Sequence, residues 1–469
     1  MKGGRAAAVS ALAALLVALP ALRNGFAIDD RYLIVENGAL ASLSSIPRFF
    51  VAPWGQGLGG AGYATVNAAY YRPLATSLLC LERVAFGLRP WAWHLASALL
   101  HAGCTALVAL LIARIASRGI VSPKEAPRAA LVGGLLFALH PVHTEAIAAA
   151  CYQTTLLSAL LALGALVVFG RALDEGATPR RLIAIALLAA GALLAKEEAA
   201  ALPLLGASFI LLSRRERHRP ALLAFAALAV GTGAAFAARS LVVVPSGLTY
   251  FGAAPRSAIA LTMLGVFGLY GELLLVPLRL CVFYDWSIVP IADGFSMQAT
   301  EGVAILLALA LLIAWRRVPR AAAMGLAWLP LGLLPVMQLV PILNVAAERF
   351  LYLPSAGVAL AAGALVDRAV AASARPRAWA IGLALAGALL TARSVTRLSD
   401  WRDDRTLDRA TARDFPETIE PLLNLADLDE QAGDRAAAER DLAEAERRQP
   451  GSSLVARRIA RLREAIAPR

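Results

Sequence analysis

The chain has 469 residues, of which 59% are hydrophobic and only 17% charged, with a mean hydropathy of +0.65. Soluble domains are roughly 45–50% apolar, so this composition excludes one and indicates a polytopic membrane protein. The net charge of +12 falls mainly in short basic loops between apolar runs, a pattern that orients a membrane protein and excludes nucleic acid as a partner.

In chain order, the run 6–22 behind Lys2 and Arg5 reads as an uncleaved signal anchor with its basic end inside. Residues 24–90 form a first external loop. It opens with FAIDDRYLIVENGAL, which places Asp29 and Asp30 at the membrane surface. An interfacial helix over 44–50, a loop with Gly55, Gly57, Gly59 and Gly60, and a helix lying on the membrane over 71–88 follow. Apolar runs near the ~20 residues needed to span a bilayer then occur at 91–113, 129–146, 148–169, 182–195, 199–212 and 221–238. Further runs lie at 259–276, 303–315, 322–340, 355–366 and 379–392. The four cysteines, Cys80, Cys104, Cys151 and Cys281, sit in or beside these runs and imply neither a disulfide framework nor a zinc site.

Five basic loops separate the runs, around Arg114, Arg171, Arg214, Arg316 and Arg368, and all are expected on the cytoplasmic side. Three runs lie between the third and fourth loops where an even number is required. The run 259–276, with Glu272 and a terminal Pro277, is therefore expected to be re-entrant or interfacial. The expected fold is an α-helical polytopic bundle of about eleven spans plus that segment.

With this topology Asp29, Asp30, Arg72, His140, His143, Glu145, Lys196, Glu197, Glu348, Arg349 and Tyr352 all fall on the face opposite the basic loops. Ionisable groups beside a bilayer core carry a functional reading by default. A carboxylate of the Asp29–Asp30 pair can serve as general base for an acceptor hydroxyl, and both are expected to be water-accessible. Arg72, Lys196 and Arg349 suit a phosphate, because guanidinium grips its oxygens in a fork and ammonium acts as a point charge. His140 and His143 either cap an anionic group or ligate a metal, and no third ligand stands at metal-site spacing; a divalent metal is left open and no cofactor is assigned.

From residue 399 the chain is charged and helical in pattern. Ala426, Ala438, Ala445 and Pro450 fit one tetratricopeptide-like repeat over 420–452, with Gly433–Asp434 at its turn and a helix over 453–466 as a cap. A lone repeat cannot bury its own face, so a protein partner at this segment is in keeping with the pattern.

FAIDDRYLIVENGAL, YYRPL, HLASALLHAG, FALHPVHTEAIA, Lys196–Glu197 and ERFLYLPSAG occur in that order, ahead of the repeat-like tail. In this the chain resembles the transmembrane and tetratricopeptide-repeat proteins, whose eukaryotic members are O-mannosyltransferases of the GT-C fold, and their bacterial relatives. The resemblance implies a GT-C-like transmembrane domain over 1–398 with a small external helical domain over 399–469. It further implies a polyprenyl-phosphate sugar donor, a protein or glycan acceptor, and an acidic catalytic pair that maps onto Asp29 and Asp30 on the periplasmic face of an inner membrane. After HPVHTE the relatives commonly carry an Arg and an Asp; here the chain reads CYQTTLL, with Gln153. The competing readings are a lipid-linked sugar transporter, which needs polar residues through the membrane depth, and a non-catalytic scaffold that presents its C-terminal helices.

Overall fold

The structure is a computed structural model and describes residues 2–54, 70–117, 126–212, 218–243, 250–340, 342–449, 456 and 459–460. The predicted glycine loop 55–60 lies outside them, and so does most of the predicted cap 453–466. Helices α1 (Lys2–Ala18), α2 (Ile46–Phe49), α3 (Pro73–Phe86), α4 (Pro90–Ser117), α5 (Ala126–Leu139), α6 (Thr144–Ala148) and α7 (Gln153–Glu175) make the first half. They are followed by α8 (Pro179–Ala195), α9 (Leu202–Leu212), α10 (His218–Val242), α11 (Arg256–Leu275), α12 (Met297–Ala314), α13 (Arg320–Leu333), α14 (Ser355–Ala371) and α15 (Pro376–Asp400). The tail adds α16 (Asp404–Asp414), α17 (Glu420–Gln431) and α18 (Arg435–Arg448).

Among the described residues the chain is nearly all helical, and seven helices are long and apolar enough to cross a membrane by length and composition. An eighth is added if α5 and the Pro141–Ala148 segment, bent by 52° against each other, form one span. Pro141 causes that bend. His140 is extended (φ −73°, ψ 126°), so the helix ends before the proline and restarts after it. The sequence-based count also included α8, α9, α13 and α14, whose described lengths are 17, 11, 14 and 17 residues.

The segment 259–276, expected to be re-entrant or interfacial, is an unbroken helix, α11, and is among those long and apolar enough to cross. Its direction is the informative feature. Thr262 accepts a hydrogen bond from Ala292 N, Gly265 lies against Gln298, and Gly271 lies against Ile305, so α11 and α12 run parallel. The link between them passes Glu348 and Thr418, through Cys281 and Asp285, and returns along α11 to Tyr250 and Thr262 through Val289 and Ala292.

Close helix approach replaces hydrophobic drive inside a bilayer. At Gly302 an added Cβ would lie 1.8 Å from Leu264 O, and at Gly133 one would lie 2.5 Å from Ala359 O. Both are places where backbones touch. A core of Leu111, Ile112, Leu163, Leu166, Phe169, Leu202, Phe209 and Trp328 joins α4, α7, α9 and α13. α12 and α15 are the exceptions, with 11% and 6% of their apolar windows buried inside the protein.

Helices α17 and α18 turn at Gly433, whose φ of +79° suits glycine, and Asp434 caps α18 by accepting from Ala437 N at 3.0 Å. Leu422, Leu425, Ala426, Ala438 and Leu442 bury the hairpin face together with Ile419 and Ile459. The tail is tied to the first loop, since Ile28 N donates to Asp404 at 2.7 Å and Gly25 N to Arg402 O at 2.9 Å. It therefore stands on the Asp29 side of the bundle.

Candidate active site

Four stretches of non-helical or tightly wound backbone meet at one end of the bundle. They are the turn into the wide helical turn Arg31–Val35, the stretch from His140 to the 3-10 turn Ala150–Tyr152, the turn Glu197–Ala201 and the turn Glu348–Leu351. Irregular backbone at membrane depth survives only when packed in protein or lining a wet cavity, so these breaks mark where the helix bundle opens.

The two aspartates differ in kind. Asp30 is fully buried, and its carboxylate accepts from Cys151 N at 2.7 Å, Ala150 N at 3.2 Å and Ala27 N at 3.4 Å. It thus supplies acceptors to the otherwise orphan N–H groups that open α7, from a different part of the chain. Burial pushes its carboxyl up to about 6, and those backbone N–H groups oppose part of the rise. The expectation that both aspartates are water-accessible is corrected here: Asp30 holds two segments together. Asp29 is half-buried and receives the Tyr152 hydroxyl at 2.8 Å.

Tyr152 links Asp29 to the cations. The Arg349 guanidinium lies over its ring at 4.3 Å, and Nη1 of Arg349 pairs with Glu145. Glu145 also accepts the backbone N of Arg349 at 2.6 Å, which fixes the turn Glu348–Leu351. Lys196 pairs with Glu198, donates to Thr155 at 2.7 Å and lies 5.4 Å from the Phe350 ring centre. Burial lowers its ammonium to about 8, with Glu198 opposing that shift. Arg72 pairs through Nε with Glu197 at 2.9 Å and lies between the rings of Trp54 and Tyr70, at 4.4 and 4.5 Å. Glu197 also accepts from Tyr71 N at 3.2 Å. Arg349 and Arg72 both bear on Lys196 electrostatically. Each of the two guanidiniums uses one side-chain nitrogen for its ion pair, and among the described residues the others make no hydrogen bond to the protein.

Four predicted site residues are placed elsewhere. His140 is engaged by Leu274 O at 3.0 Å and Val142 N at 3.3 Å, and His143 by Phe137 O and Ser355 Oγ, each at 2.8 Å. Both rings are buried with every nitrogen engaged, so they pin the helix break and leave no atom for an anion. Tyr352 is equally internal, its hydroxyl 2.7 Å from His101 Nδ1. Glu348 is fully buried and accepts from Cys281 N at 2.6 Å and Tyr284 at 3.2 Å; burial raises its carboxyl. Among the described residues no three His, Cys, Asp or Glu side chains gather as a metal set. Asp30, whose oxygens face backbone N–H donors, does not fit one either. Sequence reasoning missed Tyr152 and Thr155, whose roles arise only from contacts across the breaks.

No family model matches the chain. The protein O-mannosyl-transferase TMTC1 of Mus musculus is 32% identical over 173 residues, covering 36% of this chain and 17% of that protein. The Drosophila melanogaster protein O-mannosyl-transferase Tmtc2 is 33% identical over 193 residues, covering 40% and 19%. The homologues of this chain are TMTC O-mannosyl-transferases. The chain matches less than a fifth of the length of these two TMTC relatives. A crystal structure of ArnT from Cupriavidus metallidurans bound to undecaprenyl phosphate aligns over 98% of this chain and 77% of that one, at 17% identity and a TM-score of 0.43. With its apolar helices and TMTC homologues, the chain is an integral membrane protein.

Proposed function

We propose that this chain is a GT-C-type glycosyltransferase. It moves a mannose-like sugar from a polyprenyl-phosphate carrier to a hydroxyl of a protein or glycan acceptor, on the periplasmic face of a bacterial inner membrane. The observation that carries the reading is the line Asp29–Tyr152–Arg349 with Lys196 and Arg72 beside it, which sets one half-buried carboxylate next to three cations at the mouth of a membrane bundle. The names of the relatives point the same way: the TMTC proteins are O-mannosyl-transferases.

In this mechanism Asp29 accepts the acceptor's hydroxyl proton as its oxygen bonds to the anomeric carbon. The bond from that carbon to the phosphate oxygen breaks, and the polyprenyl phosphate leaves with an added negative charge. The free N–H groups of Arg349 and Arg72, with the Lys196 ammonium, meet that charge as it develops, which is where stabilisation lowers a barrier. Their carboxylate partners Glu145, Glu197 and Glu198 hold the cations in place while the site is empty of phosphate. Tyr152 orients the base through its hydrogen bond. The tail hairpin α17–α18 is assigned to acceptor or partner docking, since it stands on the Asp29 side.

The test is transfer by the purified full chain. Polyprenyl-phosphate mannose should label a hydroxyl-bearing acceptor peptide and GDP-mannose should not. Transfer from the nucleotide sugar alone would overturn the donor assignment, and transfer from neither would favour the scaffold reading.

A further inference from the structure

At the far end of the bundle from Asp29, the ends of α4, α7 and α8 enclose a cleft of about 340 Å³ lined by Arg114, Arg171, Glu175, Arg180 and Arg181 with Val168 and Ala184. Helix α7 separates the two places: it starts beside Tyr152 and its 23 residues span roughly 34 Å at 1.5 Å per residue, about a bilayer's thickness.

The cleft is arranged so that part of its charge is held and part is open. Arg114 pairs with Asp174 at 2.6 Å and Arg181 with Glu175 at 2.5 Å, and Arg181 also donates to Gly176 O at 2.7 Å. Gly170 allows Arg114 to lie across α7, since an added Cβ there would sit 2.9 Å from Arg114 Cδ. Arg171 and Arg180 make no ion pair or hydrogen bond to the protein among the described residues. Four arginines against the carboxylates of Asp174 and Glu175 leave a double positive charge in a concave site. From its rim an apolar stripe runs along α8 toward the membrane interior: Ile183 and Leu187, at i and i+4 on the helix, are 58% and 67% exposed, and Ala184 lines the cleft between them.

We propose that this cleft binds the phosphate of an anionic phospholipid headgroup from the cytoplasmic leaflet, with Arg171 and Arg180 on the phosphate and the acyl chains along Ile183 and Leu187. The apolar stripe favours a lipid over a free anion, because it continues the cleft into the bilayer where only a chain-bearing ligand has something to place. Basic pockets between helices on this side of a membrane match anionic headgroups in charge and depth. Retaining such a lipid would also clamp α4, α7 and α8 at the end opposite the reaction. Headgroup binding here is independent of the transfer chemistry.

The test uses the purified full chain in phosphatidylcholine nanodiscs. Phosphatidylglycerol is titrated in and bound lipid is counted by native mass spectrometry. The wild type should retain phosphatidylglycerol over phosphatidylcholine. Arg171→Ala/Arg180→Ala removes two cations near the headgroup and should weaken that preference by roughly 10- to 30-fold. Arg171→Lys/Arg180→Lys should keep most of it. Neither arginine holds the fold together, so the variants should remain folded; the wild-type competition reads the proposal without any variant. Equal retention of both lipids by the wild type would overturn it. So would inorganic phosphate in detergent giving the same stabilisation as phosphatidylglycerol, since that marks a free-anion site.

Discussion

At the residue scale, two adjacent carboxylates have separate jobs because the chain wraps them differently. Asp30→Ala leaves the buried N–H groups of Ala27, Ala150 and Cys151 without their acceptor, at about 1–3 kcal/mol for each donor left unpaired. Thermal unfolding in detergent should show that loss. Asp29→Ala, at a half-buried position, should unfold close to the wild type; equal destabilisation by the two would remove the distinction. Burial raises the Asp30 carboxyl to about 6 from an ordinary 3.8, so its protonated form favours the folded state. Its contribution is complete below about pH 4 and is lost as pH rises through 6. Wild-type stability should therefore fall between pH 4 and 6 relative to Asp30→Ala, and parallel pH profiles would contradict the burial. An acidic pair beside the first span was legible in FAIDDRYLIVENGAL. Which member is buried was not, because it depends on where Ala150 and Cys151 come to lie, 120 residues further on. The histidines show the converse. His140 and His143 read in sequence as a cap for an anion or a metal-ligating pair, yet Leu274 O and Ser355, both far along the chain, engage them.

At the element scale, the signals that ended helices also built the site. Pro141, Lys196–Glu197 and Glu348–Arg349 each interrupt an apolar run, and each interruption contributes a side chain to the cluster around Asp29 and Arg349 or pins the break beneath it. Those breaks could be read from sequence. That they converge could not, since apolar periodicity carries no information on which helices touch. Close packing gives its own prediction. Gly302→Ala drives a methyl into Leu264 O, so α11 and α12 must part, at a cost of about 1–3 kcal/mol typical of overpacking. Gly233→Ala in α10 meets nothing within 4 Å and should be neutral or gain up to about 1 kcal/mol in helix propensity. Matched melting curves of the two variants measure the contrast; equal behaviour would contradict the described contact between α11 and α12.

At the scale of the whole molecule, composition was sufficient for a helical membrane protein, and the basic loops give an expectation of which ends share a face. The structure brings Arg402 and Asp404 onto Gly25 and Ile28, a tail-to-loop contact with no local sequence signature. Single cysteines introduced at Arg180 and Gly433 should react with a membrane-impermeant maleimide from opposite sides, with Gly433 on the Asp29 side; labelling of both from one side would contradict the two-faced arrangement. The central claim is that Asp29 takes a proton while Arg349 holds the departing phosphate. Single-turnover transfer from polyprenyl-phosphate mannose by purified Asp29→Asn measures this most directly. The chemical step should fall by roughly 10²–10⁴-fold, as expected for loss of a general base, with donor binding unchanged, whereas Arg349→Ala should weaken donor binding itself. Wild-type transfer by Asp29→Asn would contradict it.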